Sequence, residues 1–556
     1  MREKKREKDA PSLSIDMASF ELPSPLPPWP PGEGFAMGKM NLGEIEVCEV
    51  TSFAEVWVAH EGGPGNLGAA FFSPSSIPAG FFPLDATPSA EELLSLAGSS
   101  SERTSEEVPP PSSSRRWTTP SSGAAPDGIS DRYSAVGLVV TSSPEKPSPE
   151  EIRCVRSELT ERCEVDGELW SDGKGFNLSR QRPTERGSRA TGVAVGTFTA
   201  AAAAPPLLCL KNSSSLTSTM PNKAQIEALV KTYSPWIFCH PKDPYFPSSV
   251  AWFFTNGATL HKKGDPIPIA VDPSGGNLPQ GGANDGEYWL DVPAGGAARE
   301  RILKGDLPSS EAYLQVKPML GAPSRTWPSG VPHHPPRRHR PAHRRLEHLT
   351  LRISNFSGKL RRVYFSQHSA GEWVEASKLE FHNGNKPIAY ASLHGHAMYP
   401  AAGLYMQGSA AAGIRNDAAG GGPAMDTGER WNLVAAPHLG DAAAPSPPPW
   451  LDYRRQWGPK LTYWTSGVLQ KVAGFLPSEM FGEEGPTGPR RRAAGKGREV
   501  YPIVTLYSQG DVKKMVSDEV CCKIIDERNL NNFTPCRPMI MLQGYMVIDY
   551  YLLYIY

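Results

Sequence analysis

Metal-binding residue types are concentrated between residues 346 and 400, where three apolar-alternating runs are joined by polar turns. Carboxylate oxygens suit hard cations such as Mg²⁺ and Ca²⁺, and imidazoles suit transition metals such as Zn²⁺. If His394 and His396 lie in a strand, their side chains point to the same face and can bind one ion together. The stretch predicts a sheet with metal ligands at its edges, and histidines that only close hydrogen bonds there are the alternative. The residues of these types are Glu347, His348, His368, Glu372, His394 and His396.

Other carboxylates and imidazoles have roles that the sequence leaves open. His368 and Glu372 flank a turn, where they either support a metal ligand or are ordinary turn residues. Asp285 and Glu287 are also possible ligands. However, the Asn-Asp-Gly sequence that begins at Asn284 is typical of a turn that leads into a strand.

The sequence lacks the familiar short motifs of catalysis. It contains no nucleophile elbow, no phosphate-binding glycine loop followed by a helix, no zinc-finger spacing and no His-Glu-x-x-His motif. The formal net charge is −1 and the isoelectric point is near 6.9, so no overall charge attracts nucleic acid or an anionic membrane. These observations favour a protein that is not an enzyme and does not bind nucleic acid.

The composition and the spacing of apolar residues predict a mainly β fold. The chain has 53 glycines and 56 prolines among 556 residues, which indicates many turns and little helix. Short runs rich in β-branched and aromatic residues alternate with turn residues, which is typical of strands. One helix is predicted after a cap at Asn222, with Ile226, Leu229 and Val230 on its apolar face and Pro235 at its end.

Changes in composition divide the chain into N-terminal β modules and a β-sandwich-like C-terminal domain, with a few short helices and long disordered loops. The segment 323–345 is rich in Pro, His and Arg. One interpretation is a basic nucleic-acid or nuclear-import patch. The other is an unstructured insertion or a segment translated from the wrong frame, and the place of the segment inside a β domain favours this second interpretation. Losing strands there would leave sheet edges unpaired. The predicted regions are a disordered tail at 1–18, an N-terminal β domain at 19–218 interrupted by low-complexity 86–128, a C-terminal domain at 219–488 interrupted by 323–345, and an unrelated tail at 489–556.

The cysteines and the apolar runs bear on the compartment. None of the eight cysteines forms a Cys-x-x-Cys pair, and the charged N-terminal residues 1–12 lack the apolar segment of a signal peptide. Reduced thiols in the cytoplasm are therefore expected. No apolar run reaches the roughly 20 residues that a transmembrane helix needs.

Several long phrases stand out, among them FELPSPLPPWPPGEGFA, YSPWIFCHPKDPYFPSSVAWFFTNGA, EHLTLRISNFSGKL and YASLHGHAMYP. These and other phrases, in this order, resemble the plant branch of the vacuolar protein sorting-associated protein 62 family. Departures from the family pattern occur at about 86–128, 323–346 and 489–556. Where the family has a Gly-Asp-Trp-Glu-His-like sequence, only Glu347 and His348 remain, and Arg345 and Leu346 stand in the places of Asp and Trp.

The N-terminal and C-terminal regions each have a weaker resemblance to a further family. The N-terminal sequences SIPAGFFPL and YSAVGLVVTSSPEKP, followed by CVRSEL, are similar to the repeated β modules of the vacuolar protein sorting-associated protein 13 family, which bind proline-containing adaptor peptides. The C-terminal pattern is similar to the necrosis-inducing-protein-like toxins, whose Asp-Trp-Glu and Ser-x-His-Gly motifs supply a divalent-cation site on a β-sandwich. This likeness implies an incomplete site for Ca²⁺ or Mg²⁺ that consists of Glu347, His394 and His396.

The resemblance implies a non-catalytic protein of vacuolar or endomembrane sorting. We expect it to bind trafficking adaptor proteins or membrane-associated partners through its β modules. Its expected location is the cytoplasm, peripheral to vacuolar or endosomal membranes. The first alternative is a divalent-metal-dependent β-sandwich that binds a glycan or a lipid headgroup, and the second is a metal-assisted hydrolase.

Overall fold

The architecture is known from a computed structural model, which describes part of the chain. The described residues are 14–15, 20–48, 53–59, 69–74, 77–79, 81–83, 87–88, 133–134, 136, 155–171, 177–184, 191–193, 198–200, 208–213, 219–320 except 284 and 294, 345–367, 370–407, 414–440, 444–458, 461–462, 482–483, 537–539 and 544–554. Almost all of the segments predicted to be disordered, 86–128 and 323–345, lie outside these residues. Thr87–Pro88 is described as a short strand.

Three α-helices are described, and all are short. They are α1 (Lys223–Tyr233), α2 (Val250–Thr255) and α3 (Gly296–Lys304). The predicted helix after Asn222 is confirmed as α1. The Asn222 side chain accepts a hydrogen bond from Gln225 N, and the Gln225 side chain accepts one from Asn222 N, so two of the amides at the start of the helix are capped. Turns of 3₁₀ helix occupy Ser157–Leu159, Leu307–Ser309, Ala376–Lys378, Pro437–Leu439 and Pro449–Asp452.

Strands dominate the rest of the described chain, and the predicted mainly β fold is confirmed. The strands before α1 are β1 (Ser14–Ile15), β2 (Lys39–Asn41), β3 (Glu46–Cys48), β4 (Phe53–Ala59), β5 (Ala69–Pro74), β6 (Phe81–Pro83), β7 (Thr87–Pro88), β8 (Tyr133–Ser134), β9 (Val155–Arg156), β10 (Thr160–Ser171), β11 (Asn177–Pro183), β12 (Gly192–Val193), β13 (Phe198–Ala200) and β14 (Leu208–Lys211).

The strands after α1 build the larger sheets. They are β15 (Trp236–Phe238), β16 (Pro247–Ser248), β17 (Thr259–Lys262), β18 (Ile269–Ala270), β19 (Tyr288–Asp291), β20 (Ala312–Leu320), β21 (Arg345–Ser354), β22 (Leu360–Gln367), β23 (Ala370–Glu375), β24 (Phe381–His382), β25 (Lys386–Ala391), β26 (Met398–Tyr399), β27 (Gly403–Gln407), β28 (Ile414–Ala418), β29 (Ala424–Asp426), β30 (Trp431–Ala435), β31 (Leu461–Thr462), β32 (Gly482–Glu483), β33 (Arg537–Met539) and β34 (Gly544–Tyr554).

Two sheets enclose the largest apolar core. One sheet has the order β23-β22-β21-β34-β20-β30, with β16 paired to β34, and the other has the order β24-β25-β15-β29, with β26 paired to β25. Leu351 of β21 and Val316 of β20 pack in one cluster with Ile237 of β15, Ala389 of β25 and Leu229 of α1. The arrangement is sandwich-like, because side chains from both sheets meet in one core.

Strand β34 fills the centre of the larger sheet, which corrects one expectation. The edges beside residues 323–345 were expected to stay unpaired, and this is wrong. Strand β34 pairs antiparallel with β20 from Tyr313↔Tyr551 to Leu320↔Gly544 and with β21 along its whole length. Its Met546 is fully buried in the main core. A segment distant in sequence thus satisfies the backbone groups of both neighbouring strands.

The proline-rich segment 20–38 packs against the C-terminal sheets. Ser24 N donates to Asn385 Oδ1 and Asn385 Nδ2 donates to Ser24 O, both at 2.9 Å. The Trp29 ring lies 6.4 Å from that of Tyr233, and Phe35 is part of the main core. The domain boundary predicted near residue 218 stays a prediction, but this segment provides contacts across it.

Candidate functional site

A tight turn after β15 holds a buried carboxylate. Asp243 N donates to His240 O at 2.9 Å, and Lys242 N donates to His240 Nδ1 at 3.1 Å. Tyr245 N donates to Asp243 Oδ1 at 3.0 Å. The His-Pro-Lys-Asp-Pro sequence favours such a turn, since proline fixes φ and the short aspartate side chain bonds the backbone two residues on. The turn directs the Asp243 carboxylate into the protein, where its side chain is 0% exposed.

The two histidines of the predicted metal site lie in a turn between β25 and β26. The expectation that they share a face of a strand is wrong. His394 and His396 have φ values of 62° and 48°, in the left-handed region. Few non-glycine residues adopt this conformation, at a cost of about 1–3 kcal/mol each. Local bonds close the turn, with His396 N donating to Ser392 O at 2.9 Å and Ser392 N donating to Ala397 O at 2.9 Å.

Asp243 connects the two turns. Its Oδ2 accepts a hydrogen bond from His394 N at 2.6 Å and lies 3.1 Å from His396 Nε2. The His396 side chain is also 0% exposed. A buried carboxylate needs several partners to offset the loss of hydration, and two backbone amides and one imidazole supply them here. The same contacts hold both histidines in their left-handed conformation.

The surroundings of Asp243 favour its charged form. Burial alone raises the pKa of this carboxyl, because it disfavours the charge. The His396 imidazole and the amides of His394 and Tyr245 lower the pKa by more, so the net shift is downward. Asp243 is therefore an anion over a wider pH range than an exposed aspartate.

Glu347 belongs to the larger sheet, whereas the histidine turn joins two strands of the other sheet. It lies on β21, is buried, and accepts a hydrogen bond from Ser366 Oγ of β22 at 2.8 Å. The same Ser366 Oγ accepts one from His348 N at 3.1 Å. Burial raises the pKa of Tyr399 on β26, and the carboxylates of Glu372 and Glu347 raise it further. Glu347 is thus within electrostatic range of the strand that follows the histidine turn.

The predicted metal set is not preformed in the described part of the chain. No group of three or more His, Cys, Asp or Glu side chains there is arranged to hold a metal ion. Glu347 has Ser366 as a donor, and His396 faces Asp243. The Nδ1 atom of His394 is buried and has no hydrogen-bond partner among the described residues. Metal binding by Glu347, His394 and His396 stays a prediction.

The remaining polar candidates have local partners. Asp285 and Glu287 both bind Arg455, with Nη1–O distances of 3.2 and 3.1 Å, as part of a turn before β19. Glu372 Oε1 accepts a hydrogen bond from Gln367 Nε2 at 2.9 Å. These contacts support the simpler interpretation of the three carboxylates as turn and edge residues. His368 lies outside the described residues.

A line of aromatic rings, which the sequence did not predict, runs beside the histidine turn. The Tyr399 and Tyr405 rings stack at 4.0 Å, and those of Phe238 and Tyr390 stack at 5.7 Å. Tyr390 Oη donates to Glu380 Oε2 at 2.6 Å. Burial and this bond to the carboxylate raise the pKa of Tyr390 to about 12. The tyrosines therefore stay neutral hydrogen-bond donors at physiological pH.

Asp243 is the site residue that sequence reasoning missed. It lies 151 positions before His394, so no local spacing connects the two residues. The segment that contains Asp243, residues 240–245, is a structured turn. The one available signal was an acidic residue within that turn, directly after a strand.

Comparison with protein families gives one match, and it covers most of the chain. The model described as vacuolar protein sorting-associated protein 62 matches residues 16–326 and 344–499. No curated protein and no solved structure matches significantly. In the described residues, no helix is both long and apolar enough to cross a bilayer.

Proposed function

Because the chain belongs to the vacuolar protein sorting-associated protein 62 family, we propose that it is a non-catalytic sorting protein that acts by binding partners. The partners are trafficking adaptors or proteins at endomembranes. Its β modules provide the contact surfaces. The family description supports a role in vacuolar protein sorting, and the properties of the candidate site support binding over catalysis.

The main observation in support of this proposal is that Asp243 and His396, a carboxylate and an imidazole in contact, are both buried. Both side chains of Asp243 and His396 are 0% exposed. Each Asp243 oxygen already accepts a backbone hydrogen bond, from His394 N or Tyr245 N. A general base must reach the proton that it removes within about 3 Å, so a fully enclosed pair is poorly suited to act on a substrate. The pair fits a role in fixing two loops.

Proximity labelling of the full chain in cells tests the proposal. The control is an unrelated cytosolic protein with the same tag. Enriched sorting proteins would then be purified and titrated against the full chain, and we expect direct binding by at least one of them. Enrichment equal to that of the control would contradict the proposal. So would turnover of a glycan, lipid or ester that Glu347→Ala abolishes, since that result would indicate a hydrolase.

A second candidate function is metal-dependent binding of a glycan or lipid headgroup. It is favoured by His394 Nδ1, which is buried without a partner among the described residues. Thermal unfolding with Ca²⁺, Mg²⁺ and Zn²⁺ tests it. A bound ion should raise the midpoint of the wild type, and His394→Ala should abolish the shift. The matched control is His261→Ala, because His261 stacks on Trp289 away from the turn. No shift with any ion would exclude this candidate.

A further inference from the structure

The sheet β12-β14-β10-β11-β13 in the N-terminal part of the chain is strongly curled. Strands β12 and β11 have β14 and β10 between them. In a flat sheet, strands three positions apart are separated by about 14 Å. Here a Cβ atom at Gly192 of β12 would lie only 2.8 Å from Pro183 Cβ of β11. The two strands therefore meet across one face of the sheet, which makes that face concave.

Two cysteines point into this concave face. Cys209 of β14 pairs with Glu161 of β10, and Cys163 lies two residues further along β10. Side chains of paired residues, and of residues two apart in a strand, lie on the same face of a sheet. A Cβ atom at Gly192 would lie 3.2 Å from Cys209 Sγ as well as close to Pro183. Because Pro183 is the strand partner of Cys163, both thiols belong to one cluster beside Gly192.

The two thiols interact with each other. Cys209 Sγ donates to Glu161 O at 3.6 Å, which holds its sulfur against β10. The hydrogen bond with Cys209, followed by burial, raises the pKa of the Cys163 thiol above its ordinary value. Cys163 is thus the later of the two to lose its proton, and its S–H can stabilise a thiolate on Cys209.

The geometry of the pair is close to what a disulfide requires. A disulfide needs Cα atoms within about 7 Å, and diagonal neighbours in a flat antiparallel pair are about 7–8 Å apart. The curl of the sheet shortens this separation on its concave face, so a small shift of β14 closes the bond. The free cysteines among the described residues are Cys48, Cys163, Cys209 and Cys239.

We propose that Cys163 and Cys209 are a modification site, at which hydrogen peroxide converts the two thiols into a reversible disulfide that joins β10 to β14. The Cys209 thiolate attacks one peroxide oxygen and becomes a sulfenic acid, while the hydroxide that leaves takes up a proton. The Cys163 sulfur then attacks the sulfenic sulfur, the S–O bond breaks, and the hydroxyl leaves as water with the Cys163 proton. The two thiols together lose two electrons, and one peroxide is reduced to two waters.

Peptide mapping of the full chain tests the site. The reduced protein is treated with hydrogen peroxide, its remaining thiols are alkylated, and it is digested without a reductant. We expect a linked peptide pair that contains Cys163 and Cys209. It should be at least about tenfold more abundant than a link between any other two cysteines, because these two thiols are already in contact. Dithiothreitol should remove the link.

Three results of the mapping would overturn the inference. The first is a dominant link from Cys163 or Cys209 to a different cysteine. The second is oxidation of both residues to sulfinic acid without a link between them. The third is a pair that stays fully open to alkylation after denaturation, at a peroxide concentration that oxidises free cysteine.

Substitutions separate the disulfide from general oxidation. Cys163→Ala and Cys209→Ala should each abolish the link, and persistence of a link at the same yield in either variant would contradict the assignment. The matched control is Cys48→Ala, which should leave the yield unchanged, because Cys48 is buried on β3 of a separate two-stranded sheet. The wild-type map decides the question even where a variant does not fold.

Discussion

Two buried carboxylates, Asp243 and Glu347, are held in different ways. Asp243 accepts bonds from two backbone amides and faces His396, and it connects turns 151 residues apart. Glu347 accepts a bond from Ser366 on the adjacent strand, within a regular sheet. Asp243 therefore determines the conformation of a loop, whereas Glu347 is a side chain that an already formed sheet accommodates. A shared metal site would require the two groups to act together.

Removing the Asp243 carboxylate should have the largest effect. Asp243→Ala leaves His394 N and His396 Nε2 without this acceptor in a buried place, and we expect a loss of about 3–5 kcal/mol in unfolding free energy. Chemical denaturation of the full chain measures it. Asp243→Asn is the matched control, because it keeps one acceptor oxygen and should lose less. A loss below that of Ser366→Ala would contradict the comparison.

Truncating Met546 of β34 should leave a cavity that destabilises the sheet containing Glu347 more than the turn containing Asp243. Met546 is fully buried, and Met546→Ala should cost about 2–5 kcal/mol through lost apolar contact and the cavity left behind. Hydrogen exchange should speed up in the β21 amides, which pair with β34, more than in residues 240–245. Equal acceleration in both places would show that the two regions open as one unit.

The serine beside Glu347 should have an intermediate effect. Ser366→Ala removes the donor to Glu347 Oε2 and the acceptor of His348 N, and we expect a loss of about 1–3 kcal/mol. The backbone of the sheet stays paired, so the loss should be local. Thermal unfolding and the β22 amide signals would measure it. Ser366→Thr keeps the hydroxyl and is the control.

Acid should weaken the Asp243 contact only at low pH, after ordinary exposed carboxylates have begun to protonate. Its folded pKa lies below the unfolded value of about 3.9, so its contribution to stability is full above that value and is lost as pH falls through the folded pKa. Unfolding free energy measured from pH 6 downward should therefore fall more steeply in the wild type than in Asp243→Asn. Parallel curves would show that the carboxylate adds no pH-dependent stability.

Local patterns predicted much of this architecture. The alternation of residues 346–400 predicted strands, which is right up to Ala391 and at Met398–Tyr399 and wrong in the histidine turn between them. The cap at Asn222 with the apolar spacing after it predicted α1. Both signals arise within a few residues. The pairing of β34 with β20 and β21 was not predictable in this way, because it depends on a tertiary contact with a segment about 200 residues distant from β21. The contact of Asp243 with the histidine turn was unpredictable for the same reason, because the two segments are 151 residues apart in the sequence.

A double-mutant cycle tests the difference between the two carboxylates most directly. Asp243→Asn and His396→Asn are made singly and together, and Asp243→Asn is also combined with Ser366→Ala. We expect a coupling free energy of about 0.5–3 kcal/mol for the first pair, and additivity within about 0.5 kcal/mol for the second. Additivity in the first pair, or strong coupling between Asp243 and Ser366, would contradict the account.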